Sequence, residues 1–218
     1  MNQFRIILAS NSPRRKELLA GLDIPFEVKV IPGIDESYPD TLDAYKTAEY
    51  IAHKKAMAYE QLLHGSAEPS GAQAGGYQEL LVLTADTVVI APTAEEQNDQ
   101  EGKGVILGKP KDAADAKAML HMLSGKTHHV VTGVCMMTRQ KQMQFSVTTE
   151  VTFKPLTEAE IDYYVEHYKP FDKAGAYGIQ EWIGYIGCTG LKGSYFNVMG
   201  LPVQRIYEGL QEMAKARI

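Results

Sequence analysis

The chain has 218 residues, 44% of them apolar and 22% charged, with a formal net charge of −5. That length suits one large α/β domain or two small lobes sharing a cleft, and the composition is that of a globular protein with a buried core. The acidic balance argues against a broad nucleic-acid-binding face but leaves room for a local cationic pocket that takes a small anion.

Residues 4–9 read as a strand and 13–21 as a helix that Gly21 can end. The turn between them is Ser10-Asn11-Ser12-Pro13, and Arg14 and Arg15 follow it. Small polar residues at a strand-to-helix turn leave backbone N–H groups pointing outward, and the helix start adds partial positive charge. Two guanidinium forks complete a site for a polyphosphate. The plain alternative is an N-capped helix with solvated arginines.

Residues 26–31 read as a second strand, and 41–63 as one long amphipathic helix. Glu36, in GIDES, can help hold a divalent cation or be a solvated loop carboxylate. Lys55 lies on the long helix, where a lysine is ordinarily solvated. The stretch HGSAEPSGAQAGG then reads as an exposed, flexible insertion. Leu80 to Ile90 is an apolar run broken by Thr84, Ala85, Asp86 and Thr87, a buried strand with polar residues at or near its end. A buried carboxylate needs a partner or a metal, so Asp86 is a candidate metal ligand or general base; the alternative is a turn cap.

Residues 92–104 read as a polar hairpin loop, and Val105 to Leu107 resumes a strand. Lys109, in GKPKD, can reach a phosphate oxygen from a loop stiffened by Pro110. Asp112 is placed to cap a helix over 112–123. Strands follow at 128–138 and 144–153. Thr157 and Glu160 form a capping box ahead of a helix that Pro170 stops. In DKAGAYGIQ, Asp172 to Gln180, small residues permit close backbone approach to a ligand, and the Gln180 amide suits a base edge. The alternative there is a Gly-rich bend. NVMGLP reads as a structural loop, and a last helix begins at Pro202.

The alternation of strands and helices gives the fold class as α/β, with a mixed sheet. No domain linker is visible across 1–218, so the segments near 64–79 and 93–104 are expected to be loop insertions in a single domain. Cys135 and Cys188 have no metal-ligand spacing and are expected to be reduced thiols of a cytoplasmic protein. The six histidines form no zinc pattern, and no Walker A loop, GxGxxG or GxSxG occurs. The N-terminus has too short an apolar run for a signal peptide, and no segment is long enough to span a membrane.

SNSPRRKELL, ADT, GKPKD, LSGKTHHVVTGV, DKAGAYGIQ and GSYFNVMGLP, in this order, closely resemble the Maf family of nucleoside triphosphate pyrophosphatases. The resemblance runs from about residue 5 to about residue 210. It implies flanking helices and two lobes around a cleft, as in inosine triphosphate pyrophosphatases. It implies cleavage of a nucleoside triphosphate to the monophosphate and pyrophosphate with a divalent metal, Mg²⁺ or Mn²⁺, for which Glu36 and Asp86 are the candidate ligands. Ser12, Arg14 and Arg15 match the triphosphate cradle, while Glu36, Lys55 and Lys109 match polar residues lining the cleft. Asp86 matches the catalytic proton acceptor. Arg14, Thr87 and Gln180 match positions tied to substrate choice, and DKAGAYGIQ resembles the subgroup acting on dTTP and UTP. The expected partner is the nucleotide, with no nucleic acid and no membrane; a homodimer is open. The family has also been linked to house-cleaning of nucleotide pools and to restraint of septum formation, which leaves a nucleotide-binding regulator as an alternative.

Overall fold

A computed structural model describes residues 3–65, 79–93 and 104–215. Most of the two segments expected as loop insertions, 66–78 and 94–103, lies outside the described residues. The elements in chain order are β1 (Phe4–Leu8), α1 (Pro13–Ala20), β2 (Phe26–Val28), α2 (Ala44–Met57), α3 (Glu60–Gly65), β3 (Glu79–Pro92) and β4 (Gly104–Leu107). They continue with α4 (Ala113–Leu123), β5 (Thr127–Met137), β6 (Gln142–Phe153), α5 (Glu158–Tyr168), a 3₁₀ turn (Ala174–Ala176), α6 (Trp182–Gly187), β7 (Cys188–Lys192), α7 (Tyr195–Met199) and α8 (Val203–Lys215).

The strands form one seven-stranded mixed sheet in the order β2-β1-β3-β5-β6-β7, with β4 also on β3. β1 runs parallel to β2 and β3, and the other pairs are antiparallel. The α/β mixed sheet with flanking helices expected from the sequence is therefore present. Side chains alternate across a strand, so β3 feeds both faces of the sheet. Val82, Val88 and Ile90 pack with the apolar stripes of α2 and α3. Leu81 and Leu83 join α1 and α8 in one cluster on the other face, and Val89 and Ala91 join α4 and α5 in a second.

Local signals set several element ends. The side chains of Ser12, Asp43, Asp112 and Thr157 each accept a backbone N–H at a helix start, and Thr157 and Glu160 close a full capping box. The helix expected over 41–63 is instead two helices, because the chain turns at Tyr59 to bury it. The Tyr59 hydroxyl accepts from Ile31 N at 2.9 Å and donates to Lys29 O at 2.8 Å, tying the loop after β2 to this break. NVMGLP, expected as a loop, opens with most of α7. Its Asn197 is fully buried, with Nδ2 donating to Val130 O and Thr149 Oγ1.

Candidate active site

The sheet opens at the middle of β3. On one edge of β3, β1 pairs as far as Leu83, and β4 pairs from Val89 onward. Between those stretches no described strand covers that edge, and the Ser10–Ser12 turn enters the gap. Asp86 sits there, backed on the other edge by Gly133 of β5. Asp86 was expected at or near a strand end. It lies mid-strand, and it is reachable because β1 and β4 share one edge of β3 and leave this stretch between them.

Helix α2 covers the face to which Asp86 points. A Cβ on Gly133 would lie only 2.2 Å from the carbonyl carbon of Ala48 and the nitrogen of Glu49, so α2 rests directly on the β5 backbone. This close approach lets Thr84 Oγ1 donate to Ala52 O at 2.6 Å. It also lets Lys55 Nζ meet Asp86 Oδ1 at 2.7 Å and Glu36 Oε1 at 3.1 Å. The Lys55 and Asp86 side chains are only 14% and 15% exposed, a depth at which each needs the other's charge. Lys54 grips the same loop from outside, with Asp35 Oδ2 at 2.7 Å and Ser37 O at 2.9 Å, and thereby carries Glu36 to Lys55.

On the opposite face, Ser12 Oγ caps α1 by accepting from Arg15 N. The two arginines part company. Arg14 Nη1 donates to Asp172 Oδ2 at 2.7 Å beside the opening. Arg15 was expected to share in a phosphate cradle. It lines the cavity, but its nitrogens donate to Gly200 O at 2.8 Å, Ala85 O at 2.8 Å and Thr87 Oγ1 at 3.1 Å, so it braces β3 against the segment after α7. Thr87 also bonds Thr132 Oγ1 at 2.9 Å, which fixes its hydroxyl between two protein partners.

The third wall is the loop from Asp172 to Gln180. Gly175 adopts a φ of +67°, and its backbone presses on Val89, where a Cβ would come within 2.8 Å. Gly175 N donates to Gly108 O, which holds this loop beside Lys109. Lys109 is exposed and, among the described residues, has no ion-pair partner. Gln180 lines the cavity, and its Oε1 is buried without a hydrogen-bond partner. Lys173 was not anticipated; it is 8% exposed and pairs with both Asp172 and Glu181. Burial would raise the Asp172 carboxyl, but hydrogen bonds from Lys173 and Arg14 outweigh it and hold its pKa down at about 2. The Asp172-Lys173 pair inside DKAGAYGIQ was the available signal for these residues.

The gap encloses a cavity of about 700 Å³, a size typical of a ligand site. All nine sequence-nominated residues line it: Ser12, Arg14, Arg15, Glu36, Lys55, Asp86, Thr87, Lys109 and Gln180. Counting Lys173 and Asp172, the lining has five cations against three carboxylates, a positive site in an acidic protein. Such a site attracts a polyanion and concentrates it. Asp86 and Glu36 converge on Lys55, an all-oxygen pair that suits Mg²⁺ or Mn²⁺ when substrate oxygens and water complete the shell. Among the described residues no group of three or more His, Cys, Asp or Glu is arranged to hold a metal without such help. No helix among them is long and apolar enough to cross a membrane.

A profile of the family described as "Maf-like protein" matches residues 5–213. The chain is 53% identical over 213 residues to a dTTP/UTP pyrophosphatase of Phocaeicola vulgatus, with 98% of each chain covered. It is 48% identical over 213 residues to a dTTP/UTP pyrophosphatase of Bacteroides fragilis, again covering 98% of each. A dTTP/UTP pyrophosphatase of Porphyromonas gingivalis is 48% identical over 216 residues, 99% of this chain and 98% of that one.

Proposed function

Since the chain belongs to the Maf family, we propose that it hydrolyses dTTP and UTP to the monophosphate and pyrophosphate. The observation that carries this reading is the largely buried Asp86–Lys55 pair in a cationic cavity beside a helix start. The triphosphate's negative charges need neutralising before water can approach phosphorus. Arg14, Lys109 and the positive N-terminal end of α1 supply this along the phosphates. Ser12 shapes that turn and lends its hydroxyl. Lys55 holds Asp86 in place at 2.7 Å, and Asp86 accepts the proton as water attacks and the α–β anhydride breaks. Pyrophosphate leaves against the arginine side. Glu36 and Asp86 are the residues that would hold Mg²⁺ or Mn²⁺, which when bound supplies further charge neutralisation at the phosphates.

Base choice falls to Gln180 and Thr87. The unpaired Gln180 Oε1 suits the N3–H of uracil or thymine. Those bases share the same edge and differ by one methyl, which a pocket separates by only about 1–3 kcal/mol, so both are accepted, whereas adenine has no ring N–H on its pairing edge and is disfavoured. A regulator linked to septum formation would need the nucleotide only as a signal, and the carboxylate turned toward an anion favours turnover instead. The test is pyrophosphate release from dTTP and UTP with Mg²⁺. Asp86→Asn should cut turnover by roughly a hundredfold with the fold intact, as loss of a general base does. A variant that keeps a third of the wild-type rate refutes the assignment.

A further inference from the structure

The turn that carries Gln180 is tied at both ends to one hydroxyl. Tyr164, on α5, is fully buried, and its oxygen accepts from Gly178 N at 3.0 Å. The same hydroxyl donates to Glu181 Oε2. Glu181 N donates to Gly178 O at 3.0 Å, so residues 178–181 close a turn with Gln180 inside it. Glu181 Oε1 meets Lys173 Nζ at 3.0 Å, and Lys173 reaches Asp172, whose second oxygen takes Arg14. A continuous chain of alternating charge thus runs from Arg14 to the Tyr164 hydroxyl.

Neither Tyr164 nor Glu181 lines the cavity; both stand behind its wall. The turn leaves no slack, since a Cβ on Gly178 would come 2.9 Å from Glu181 Cδ and 3.0 Å from Gln180 Nε2. Just before it, Ala176 has a φ of +58°, which an L residue keeps only when its surroundings over-determine it. Burial raises the Tyr164 phenol well above its ordinary value, and the Glu181 carboxylate adds to that, so the hydroxyl stays protonated and remains a donor. The one buried acceptor left open in this assembly is the Gln180 carbonyl, on a residue that lines the cavity.

We propose that Tyr164 and Glu181 are positioning residues for base selectivity, holding the Gln180 amide at one place in the cavity wall; the inference rests on Gln180 being the base contact. Loss of the hydroxyl leaves Gly178 N and Glu181 Oε2 without their shared partner. Gln180 then samples several orientations, and a uracil edge loses its advantage over a purine.

Tyr164→Phe removes only the hydroxyl and keeps the ring, which stacks on Tyr168 at 5.1 Å. Glu181→Gln, at a side chain that is 21% exposed, is a second variant that does not disturb the core. kcat/KM for UTP and ATP is measured by pyrophosphate release, together with inhibition by inorganic tripolyphosphate, which has the phosphates and no base. The UTP-to-ATP ratio should fall about tenfold in each variant, the scale of one misplaced polar contact. Tripolyphosphate inhibition should stay close to wild type. An unchanged ratio overturns the inference, and so does an equal loss toward UTP, ATP and tripolyphosphate, which marks general loosening. A wild type that hydrolyses ATP as fast as UTP refutes the base reading itself, and this inference with it.

Discussion

Gly133→Ala tests whether the close seat of α2 on β5 builds the active site. The added Cβ would lie 2.2 Å from the Ala48 and Glu49 backbone, whereas ordinary contact begins at 3.4 Å, so helix and strand must part by about 1.2 Å. The obstacle is backbone on both sides, and no flexible side chain can swing away. Overpacking of this kind costs about 1–3 kcal/mol. A shift of that size also stretches the Thr84 Oγ1 to Ala52 O bond from 2.6 Å beyond hydrogen-bonding range, leaving a buried group to find the weaker Cys135 O contact at 3.4 Å. Losing that bond adds about 1 kcal/mol. The total of roughly 2–4 kcal/mol corresponds to a melting temperature lowered by about 5–15 °C for a chain of this size. Lys55 moves with α2, so pyrophosphate release should fall further than stability alone explains, by roughly tenfold or more, since ångström-scale misplacement weakens catalysis steeply. Calorimetry and steady-state kinetics on the purified variant give both numbers. Gly65→Ala serves as control, because nothing lies within 4 Å of a Cβ there. A Gly133→Ala protein that melts within a degree of wild type and retains its rate refutes the reasoning.

The two arginines should separate cleanly. Arg14→Ala should raise KM for the triphosphate and barely move the melting temperature, since its partner Asp172 is half exposed. Arg15→Ala orphans Ala85 O and Gly200 O, at about 1–3 kcal/mol, and should lower the melting temperature by several degrees; the reverse pattern in thermal melts and kinetics would exchange their roles. His128 is buried against the Tyr177 hydroxyl, and burial, helped by His129, lowers its pKa to about 3 from 6.5. The unfolded chain therefore takes up that proton first. Its contribution is complete above pH 6.5 and is lost as pH falls toward 3, at up to about 1.4 kcal/mol per pH unit. Melting curves between pH 7 and 4.5 should show this slope above the Asp172 window, and His128→Gln should flatten it; a wild type with no slope there means that His128 is not held neutral.

The sequence by itself determined the elements whose signals are local. Asp112 and the Thr157–Glu160 box cap their helices because an i to i+3 reach is built into the first turn. The apolar run from Leu80 marks a buried strand, and the ordered motifs from SPRR to DKAGAYGIQ identify the family and nominate a set of residues that does line one cavity. Tertiary structure alone decided what those residues face. That β1 and β4 share one edge of β3, and so uncover Asp86 in mid-strand, depends on strand order, which no local pattern encodes. Lys55 looks solvated in a helical pattern and is buried because Gly133, far along the chain, lets α2 settle onto β5. Arg14 and Arg15 are neighbours of the same type. One helix step turns the first toward the opening and the second toward three protein oxygens, a difference that exists only once β3 and the segment after α7 are beside it. Charge and hydrogen-bonding type are properties of a residue, whereas the partner that satisfies them is a property of the packed fold.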